Sequence, residues 1–218
     1  NDPNHSSTGP IQSNYFQYYD TGHVKRDKGK WFVQGQQLNI SASMDFAYTV
    51  KTRSDYTCIA VVGASADGNY YILDIDRFRV DKMGEMFERL RAMHNRWQFH
   101  KIRMECSAAQ GALVRELKDS YIRPFGLALS IEEYYPTRKE GTKEERIEAI
   151  LRPRYENKSI WHFRGGHCST LEQELVLEHP PHDDVKDAVA SAVETCVIPR
   201  SADWRQQFKV VNGGSASS

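Results

Sequence analysis

The chain has 218 residues, of which 39% are hydrophobic and 27% charged, a composition typical of a globular domain. No apolar run approaches the roughly 20 residues of a membrane-spanning helix, so the sequence offers no membrane span. Basic and acidic residues balance at 29 each, which excludes a protein that holds nucleic acid through bulk positive charge alone.

The cysteines and the first residues indicate the cellular setting. Four scattered cysteines, without a C-x-x-C pair, predict neither a disulfide framework nor a thiolate zinc site, and favour a reducing, cytosolic compartment. The first ten residues are polar and lack the basic and apolar regions of a secretory signal.

The first predicted elements form an antiparallel meander. Residues 1–36 are rich in Asn, Ser, Gly and Gln with isolated aromatics, which predicts a lead-in that lies against a surface rather than a core element. Apolar residues then occupy every second position from 38 to 46, the pattern of a strand whose polar face carries Asp45. Further strands are predicted at 57–62 and 70–75, joined by an Asp-Gly-Asn turn.

Helices and shorter strands alternate in the rest of the chain. The spacing of apolar residues predicts a helix at 81–97 and a strand at 101–104 that ends at Glu105. The remaining predicted elements are a helix at 108–120, a strand at 125–131, a helix from Thr142 stopped by Pro153, a strand at 160–163, a helix at 171–177 and a last helix from Asp183. This order predicts an α/β fold, a mixed sheet with an antiparallel meander followed by parallel strands, flanked by helices.

Three acidic positions stand where strands end or helices begin. Asp45 lies on a polar strand face between small residues, and Glu105 ends a strand before a run of small residues. Asp183 and Asp184 open the last helix, where adjacent carboxylates repel each other unless a cation lies between them. Singly, each acid is more often solvated, ion-paired or a helix cap, but the joint pattern favours a metal site.

A carboxylate cluster predicts a particular chemistry. Hard oxygen ligands favour Mg²⁺ or Mn²⁺ over zinc or copper. Two such ions about 3.5 to 4 Å apart can activate water and stabilise the leaving oxyanion of a phosphodiester. Asp45, Glu105, Asp183 and Asp184 are therefore predicted as catalytic residues and metal ligands of a nuclease.

With these motifs in view, the sequence resembles the C-terminal nuclease domain of the terminase large subunit of tailed bacteriophages, in the ribonuclease H-like superfamily. The resemblance spans about residues 38–198 and rests on five ordered segments, at 44–57, 71–74, 104–106, 143–147 and 182–188. It implies a ribonuclease H-like sheet whose two Mg²⁺ or Mn²⁺ ions are bound by Asp45, Glu105, Asp183 and Asp184. Asp187, one turn further on, is expected to support these ligands.

The resemblance also implies a biological role. An endonuclease of this kind would cut concatemeric double-stranded DNA during viral DNA packaging, in the cytoplasm of the infected bacterial host. Its partners would be the N-terminal ATPase domain, the portal protein and the small terminase subunit. The chain contains no P-loop motif, so residues 1–37 are interpreted as a partly disordered linker from the ATPase, 38–200 as the nuclease domain and 201–218 as a flexible tail.

DNA contacts are predicted on the basic stretch before and within the helix at 142. Arg138, Lys139, Lys143 and Arg146 would bind phosphates without reading sequence, although a solvated helix face with little effect on stability explains them equally well. His182 adjoins the aspartates and could also contact phosphate.

Three alternatives stay open. Histidines 162, 167, 179 and 182 with Cys168 invite a zinc site, but their spacing matches no known ligand pattern. A Holliday-junction resolvase or integrase would use the same acids on another DNA shape. A non-catalytic DNA-clamping module would keep the carboxylates for structure.

Overall fold

A computed structural model of the chain describes residues 9, 11–46, 56–107 and 110–200. The strands are β1 (Gln17–Tyr18), β2 (Val24–Asp27), β3 (Lys30–Val33), β4 (Gln36–Asp45), β5 (Thr57–Ser65), β6 (Tyr70–Phe78), β7 (Lys101–Glu105), β8 (Ser130–Tyr134) and β9 (Ile160–His162). The helices are α1 (Met83–Trp97), α2 (Gly111–Glu116) continued by a π-helical turn (Leu117–Ile122), α3 (Lys143–Glu156), α4 (His167–Val176) and α5 (Asp184–Glu194). Short 3₁₀ turns lie at Ser13–Tyr15, Thr21–His23 and Arg138–Glu140.

The described strands form one mixed sheet, which confirms the predicted fold class. Its order is β1-β9-β6-β5-β4-β7-β8. β4, β5 and β6 pair antiparallel as the predicted meander, whereas β7 is parallel to both β4 and β8. The long strand β4 also pairs through its first residues with β3, and β3 pairs with β2.

Helices cover both faces of this sheet. On one face α1 and the α2 region enclose a core that includes Met44 and Met104. On the other face α3, α4 and α5 enclose a second core that includes Cys58 and Val189. Every residue of β5 is buried because the strand lies at the centre with helices on both sides. None of the described helices combines the length and apolar character that a membrane crossing requires.

The segment before residue 38 departs from the prediction of a surface lead-in. Ile11, Phe16, Tyr19 and Val33 are buried in the two cores, and the Tyr19 hydroxyl donates to the carbonyl of Ile72 at 2.7 Å. The polar composition misled because these isolated apolar side chains are the ones that face the core, while their polar neighbours face outward. Residues 1–8 and the predicted tail at 201–218 lie outside the described residues, and the division into linker, domain and tail stays a prediction.

The strand predicted at 125–131 is shifted along the chain. Gly126 has a φ of +63°, and the amide of Leu127 donates to the carbonyl of Ile122, so this stretch closes a turn after the π-helical segment. β8 begins only at Ser130, where it pairs with Lys101 of β7. The alternating apolar residues imitated a strand, yet Phe125 is 55% exposed.

Pro153 does not end α3, contrary to the prediction. The helix begins after Thr142 with the predicted capping box to Glu145 but continues to Glu156. Leu151 and Tyr155, one turn apart, are both fully buried. Burial of a Tyr side chain of this kind offsets the roughly 3 kcal/mol that an internal proline costs.

Candidate active site

A row of paired residues crosses the sheet where β4 ends. Arg77 pairs with Cys58, Cys58 with Asp45, Asp45 with Glu105, and Glu105 with Tyr134. Residues paired across neighbouring strands project from the same face of a sheet. The parallel register of β4 and β7 therefore places the two predicted acids, Asp45 and Glu105, next to each other.

The polar face of β4 lies under α5 rather than in open solvent. Ser41 shares a hydrogen bond with Thr195 at 2.5 Å, and Ser43 donates to the backbone carbonyl of Ala188. Small hydroxyl side chains let the helix approach the strand closely while their polar atoms stay bonded. This contact brings the N-terminal end of α5 over Asp45.

The acids at the start of α5 diverge from one another. Asp183 is the N-cap residue, but its carboxylate makes no capping bond and lies 3.5 Å from the Lys143 ammonium. Asp184 points elsewhere, with its Oδ2 2.9 Å from Nη2 of Arg77. The adjacent aspartates thus do not share one cation here; each is neutralised by a different basic side chain.

Lys143 of α3 occupies the centre of the carboxylate cluster. Its Nζ lies 2.8 Å from Oδ2 of Asp187, 3.5 Å from Oδ2 of Asp45 and 3.5 Å from Oδ1 of Asp183. Asp187 is one turn after Asp183, the spacing that puts both on one face of the helix. Asp187, expected only to support the site, is therefore a direct member of the cluster.

Arg146, one turn after Lys143, binds the other acid. Its Nη2 donates to both carboxylate oxygens of Glu105, at 3.0 and 3.1 Å. Glu105, Arg146 and Asp187 line a cleft of about 300 Å³ between α3 and α5, together with Tyr134 and Glu194. The cleft opens the carboxylates to a ligand from outside.

The electrostatics of the site reflect a surplus of buried negative charge. Burial, followed by the neighbouring aspartates, raises the pKa of Asp45 to about 7 in spite of the Lys143 ammonium. Burial likewise raises the pKa of Asp187 and that of Glu105. Burial alone would lower the pKa of Lys143, but the carboxylates of Asp45 and Asp187 outweigh it and raise that pKa.

This donor set suits a divalent cation. Three carboxylate oxygens lie within 3.5 Å of a single nitrogen, so the cluster already surrounds one positive charge. Oxygen ligands of this kind are those of Mg²⁺ and Mn²⁺. An added cation would relieve the repulsion that raises the pKa of Asp45.

The predicted DNA contacts have other partners in this structure. Lys143 and Arg146 bind the acids, and their side chains face the cluster instead of pairing with glutamates of their own helix. Lys139 is exposed, and for Arg138 only the backbone is described. His182 lies against Tyr56, with ring centroids 5.2 Å apart.

A stack of basic groups lies beside Asp184. The guanidinium groups of Arg77 and Arg79 lie 3.5 and 3.7 Å from the ring centroid of Tyr56. Glu174 is 4% exposed, and burial raises its pKa to about 7. Residues 47–55 precede Tyr56, so the part of the sequence motif that they carry lies outside the described residues.

Comparisons with known proteins identify the family and the fold of the chain. Residues 42–195 match the family described as Terminase RNaseH-like domain. Among solved structures, the human cytomegalovirus terminase nuclease domain has a TM-score of 0.60 at 15% identity and covers 86% of this chain and 95% of its own. The large terminase nuclease from thermophilic phage G20c has a TM-score of 0.58 at 13% identity. This match covers 86% of the present chain and 98% of the phage G20c chain. Among curated proteins, none matches the chain.

Proposed function

Because the chain belongs to the family of terminase RNase H-like domains, we propose that it is the metal-dependent endonuclease of a viral DNA-packaging terminase, which cuts concatemeric double-stranded DNA. The chain is a nuclease domain with a ribonuclease H-like fold. The metal dependence, the packaging role and the residues that act are the substance of the proposal.

One observation carries the proposal: acids from three separate elements gather around the end of β4. Asp45 ends β4, Glu105 ends β7, and Asp183 and Asp187 come from the start of α5. A solvated or capping role for each acid separately does not explain why three of them surround the Lys143 ammonium and why Glu105 pairs with one of these, Asp45, in the sheet. Shared binding of cations does explain it.

The residues have distinct roles in this proposal. Asp45, Asp183 and Asp187, with Glu105 beside them, would hold two Mg²⁺ or Mn²⁺ ions, and Asp184 would bind there if it leaves Arg77. When bound, such ions activate water and stabilise the leaving oxyanion of the phosphodiester. Lys143 and Arg146 balance the charge of the carboxylates and keep them oriented toward the cleft.

The wider role follows from the family. We infer that double-stranded DNA is the substrate and that an ATPase domain, a portal protein and a small terminase subunit are the partners. The host cytoplasm is where such a packaging reaction takes place. The 29 basic and 29 acidic residues give no net attraction to DNA, so these partners would supply part of the affinity.

Metal-dependent cleavage tests the proposed activity directly. Supercoiled plasmid incubated with the chain should be nicked and linearised in Mn²⁺ or Mg²⁺, with little sequence preference, and should stay intact in EDTA. Cleavage that continues undiminished in EDTA would contradict the two-metal chemistry. Absence of cleavage in every metal, with DNA binding retained, would favour a clamping module instead.

The salt dependence of DNA affinity measures the contribution of Lys143 and Arg146 to DNA binding. Lys143 and Arg146 are expected to turn from the acids to phosphates once cations are bound. The double variant Lys143→Ala/Arg146→Ala should then reduce the slope of log affinity against log salt concentration by about 1.8, the value for two phosphate contacts. Binding would be measured in Ca²⁺, expected to occupy the site with little cleavage.

Arg152 provides the matched control for this salt experiment. It lies on the same helix and pairs with Glu148 and Glu156 on the exposed face. Arg152→Ala should leave the slope unchanged. If the double variant behaves like this control, the two residues serve the acids alone. The basic residues between positions 77 and 103, which include Arg77 and Arg79 beside Tyr56, then become the better candidates for the DNA path.

A further inference from the structure

A compact cluster of one histidine, one cysteine and one glutamate lies three strands away from β4. His162 ends β9, and Cys168 and Glu172 lie one turn apart in α4. Ligand atoms of these three residues all lie within 4.8 Å of one another. Within residues 11–46, 56–107 and 110–200, no other group of three or more His, Cys, Asp and Glu residues is as close.

The local sequence builds this cluster from a short piece of chain. Gly165 and Gly166, with φ values of +85° and +55°, turn the chain from β9 directly into α4. Only five residues separate His162 from Cys168, and three separate Cys168 from Glu172. Short loops of this length close at little entropic cost, and positions i and i+4 of a helix share one face.

His162 is oriented as a metal-binding imidazole would be. Its Nε2 is held by the Tyr155 hydroxyl at 2.8 Å, while its Nδ1 faces Oε1 of Glu172 at 2.9 Å. Metal-bound histidines commonly have the ring nitrogen that is not a ligand fixed by a neighbouring group in this way. The ring is also clamped by Phe16, which stacks on it with centroids 4.9 Å apart.

The cluster is enclosed. His162 and Cys168 are fully buried, and Glu172 is partly buried. The hydrogen bond between His162 and Glu172 does not involve the thiol of Cys168, which is buried beside them in the apolar core. A bound ion uses all three side chains.

We propose that His162, Cys168 and Glu172 form a zinc site, separate from the carboxylate cluster around Lys143. A mixed nitrogen, sulfur and oxygen donor set suits Zn²⁺, whereas Mg²⁺ and Mn²⁺ prefer oxygen alone. Tetrahedral zinc places such donor atoms roughly 3.3 to 3.6 Å apart, so His162 and Glu172 would separate slightly. Binding releases the thiol proton of Cys168, and a solvent molecule completes the four ligands.

The position of the site gives the ion a mechanical role. It would tie the end of β9 to α4, and β9 pairs with both β1 and β6. α4 in turn packs on α5, the helix that carries Asp183 and Asp187. Zinc would therefore stabilise the edge of the sheet that supports this helix.

Cobalt spectroscopy distinguishes this site from the catalytic one. Co²⁺ added to the full chain should give a near-ultraviolet thiolate-to-cobalt charge-transfer band that one equivalent of Zn²⁺ removes. The band should persist in Asp45→Asn and in Cys58→Ser, which removes the thiol next to Asp45 in the strand register. It should be absent in Cys168→Ser. No band in the unaltered chain, or a band that survives Cys168→Ser, would overturn the proposal.

Zinc affinity and melting supply the second readout. In the Asp45→Asn background, Zn²⁺ at about 100 times its Kd should raise the melting temperature by roughly 5 °C or more, because it binds the folded chain alone. Glu172→Gln keeps the thiol and should weaken zinc binding by about tenfold or more in calorimetry. This variant serves even if Cys168→Ser folds poorly. Zinc binding as tight in Glu172→Gln as in its parent would refute the site.

Discussion

The Asp45→Asn variant should lose plasmid cleavage by at least about 10³-fold while remaining folded. In the proposed site an amide oxygen would replace a carboxylate shared among cations. Such ions supply several kcal/mol to the transition state, at about 1.36 kcal/mol for each tenfold in rate. The substitution changes almost no volume, and β4 keeps its pairing with both neighbours. Cleavage rates in Mn²⁺ measure the loss of activity, and circular dichroism measures whether the variant remains folded.

The pH dependence of melting tests the same residue without metal. The pKa of Asp45 is raised from 3.8 to about 7 on folding, so the folded chain holds the proton more tightly. The stability that this pKa difference gives the folded chain is fully present below pH 3.8 and is lost as the pH rises through about 7. Asp45→Asn and the unaltered chain should therefore melt alike near pH 4, and the variant should melt at the higher temperature above pH 7.

Asp76 offers a matched control for both measurements. It lies in β6 one residue before Arg77, on the opposite face of the sheet, and pairs with Arg89 of α1 at 3.2 Å. Asp76→Asn should cleave DNA at the normal rate. A large fall in the melting temperature of Asp45→Asn at pH 8, or cleavage equal to that of Asp76→Asn, would show that Asp45 is a structural residue.

The Lys143→Ala variant should be strongly destabilised when metal is absent. Its ammonium faces the carboxylates of Asp45, Asp183 and Asp187, which would be left repelling each other in a partly buried site. Loss of one partner from a buried pair costs about 3 to 5 kcal/mol, and the third of this side chain that is exposed reduces the cost to about 2 to 4 kcal/mol. For a domain of this size the melting temperature should fall by roughly 5 to 10 °C in EDTA.

Divalent cations should rescue this variant. Mg²⁺, Mn²⁺ or Ca²⁺ would replace the missing positive charge, so the rise in melting temperature on adding metal should be larger in Lys143→Ala than in the unaltered chain. Arg152→Ala, on the exposed face of the same helix, should change neither the melting temperature in EDTA nor its rise on adding metal. Equal metal-induced shifts in all three proteins would mean that Lys143 is not a stand-in for a cation.

Some features of the site could be read from the sequence because they depend on local patterns. Alternation placed Asp45 on the polar face of a strand, and strand length placed Glu105 at the end of another. The capping box fixed where α3 begins, at Thr142. These positions follow from the periods of strands and helices, which neighbouring residues alone decide.

Other features depended on which elements pack together. Side chains that are distant in the sequence decided that Lys143 lies among the acids, that Asp184 turns to Arg77 and that Asp187 takes its place. Burial of Tyr155 carried α3 past Pro153, and the same packing buried the aromatics of a segment that looks polar.

The sequence by itself determined the fold class, the strands of the meander and the places of Asp45 and Glu105 at strand ends, because hydrophobic periodicity and residue type suffice for these. Only the tertiary structure decided how the charges pair. It also decided that His162 of β9 meets Glu172 of α4, although nine residues lie between them in the sequence. Spacing along the chain does not encode such contacts. They arise when the parallel register of β4 and β7, and the packing of α3, α4 and α5 on one face, bring charged groups close enough for Coulomb energy in a low-dielectric cleft to select their partners.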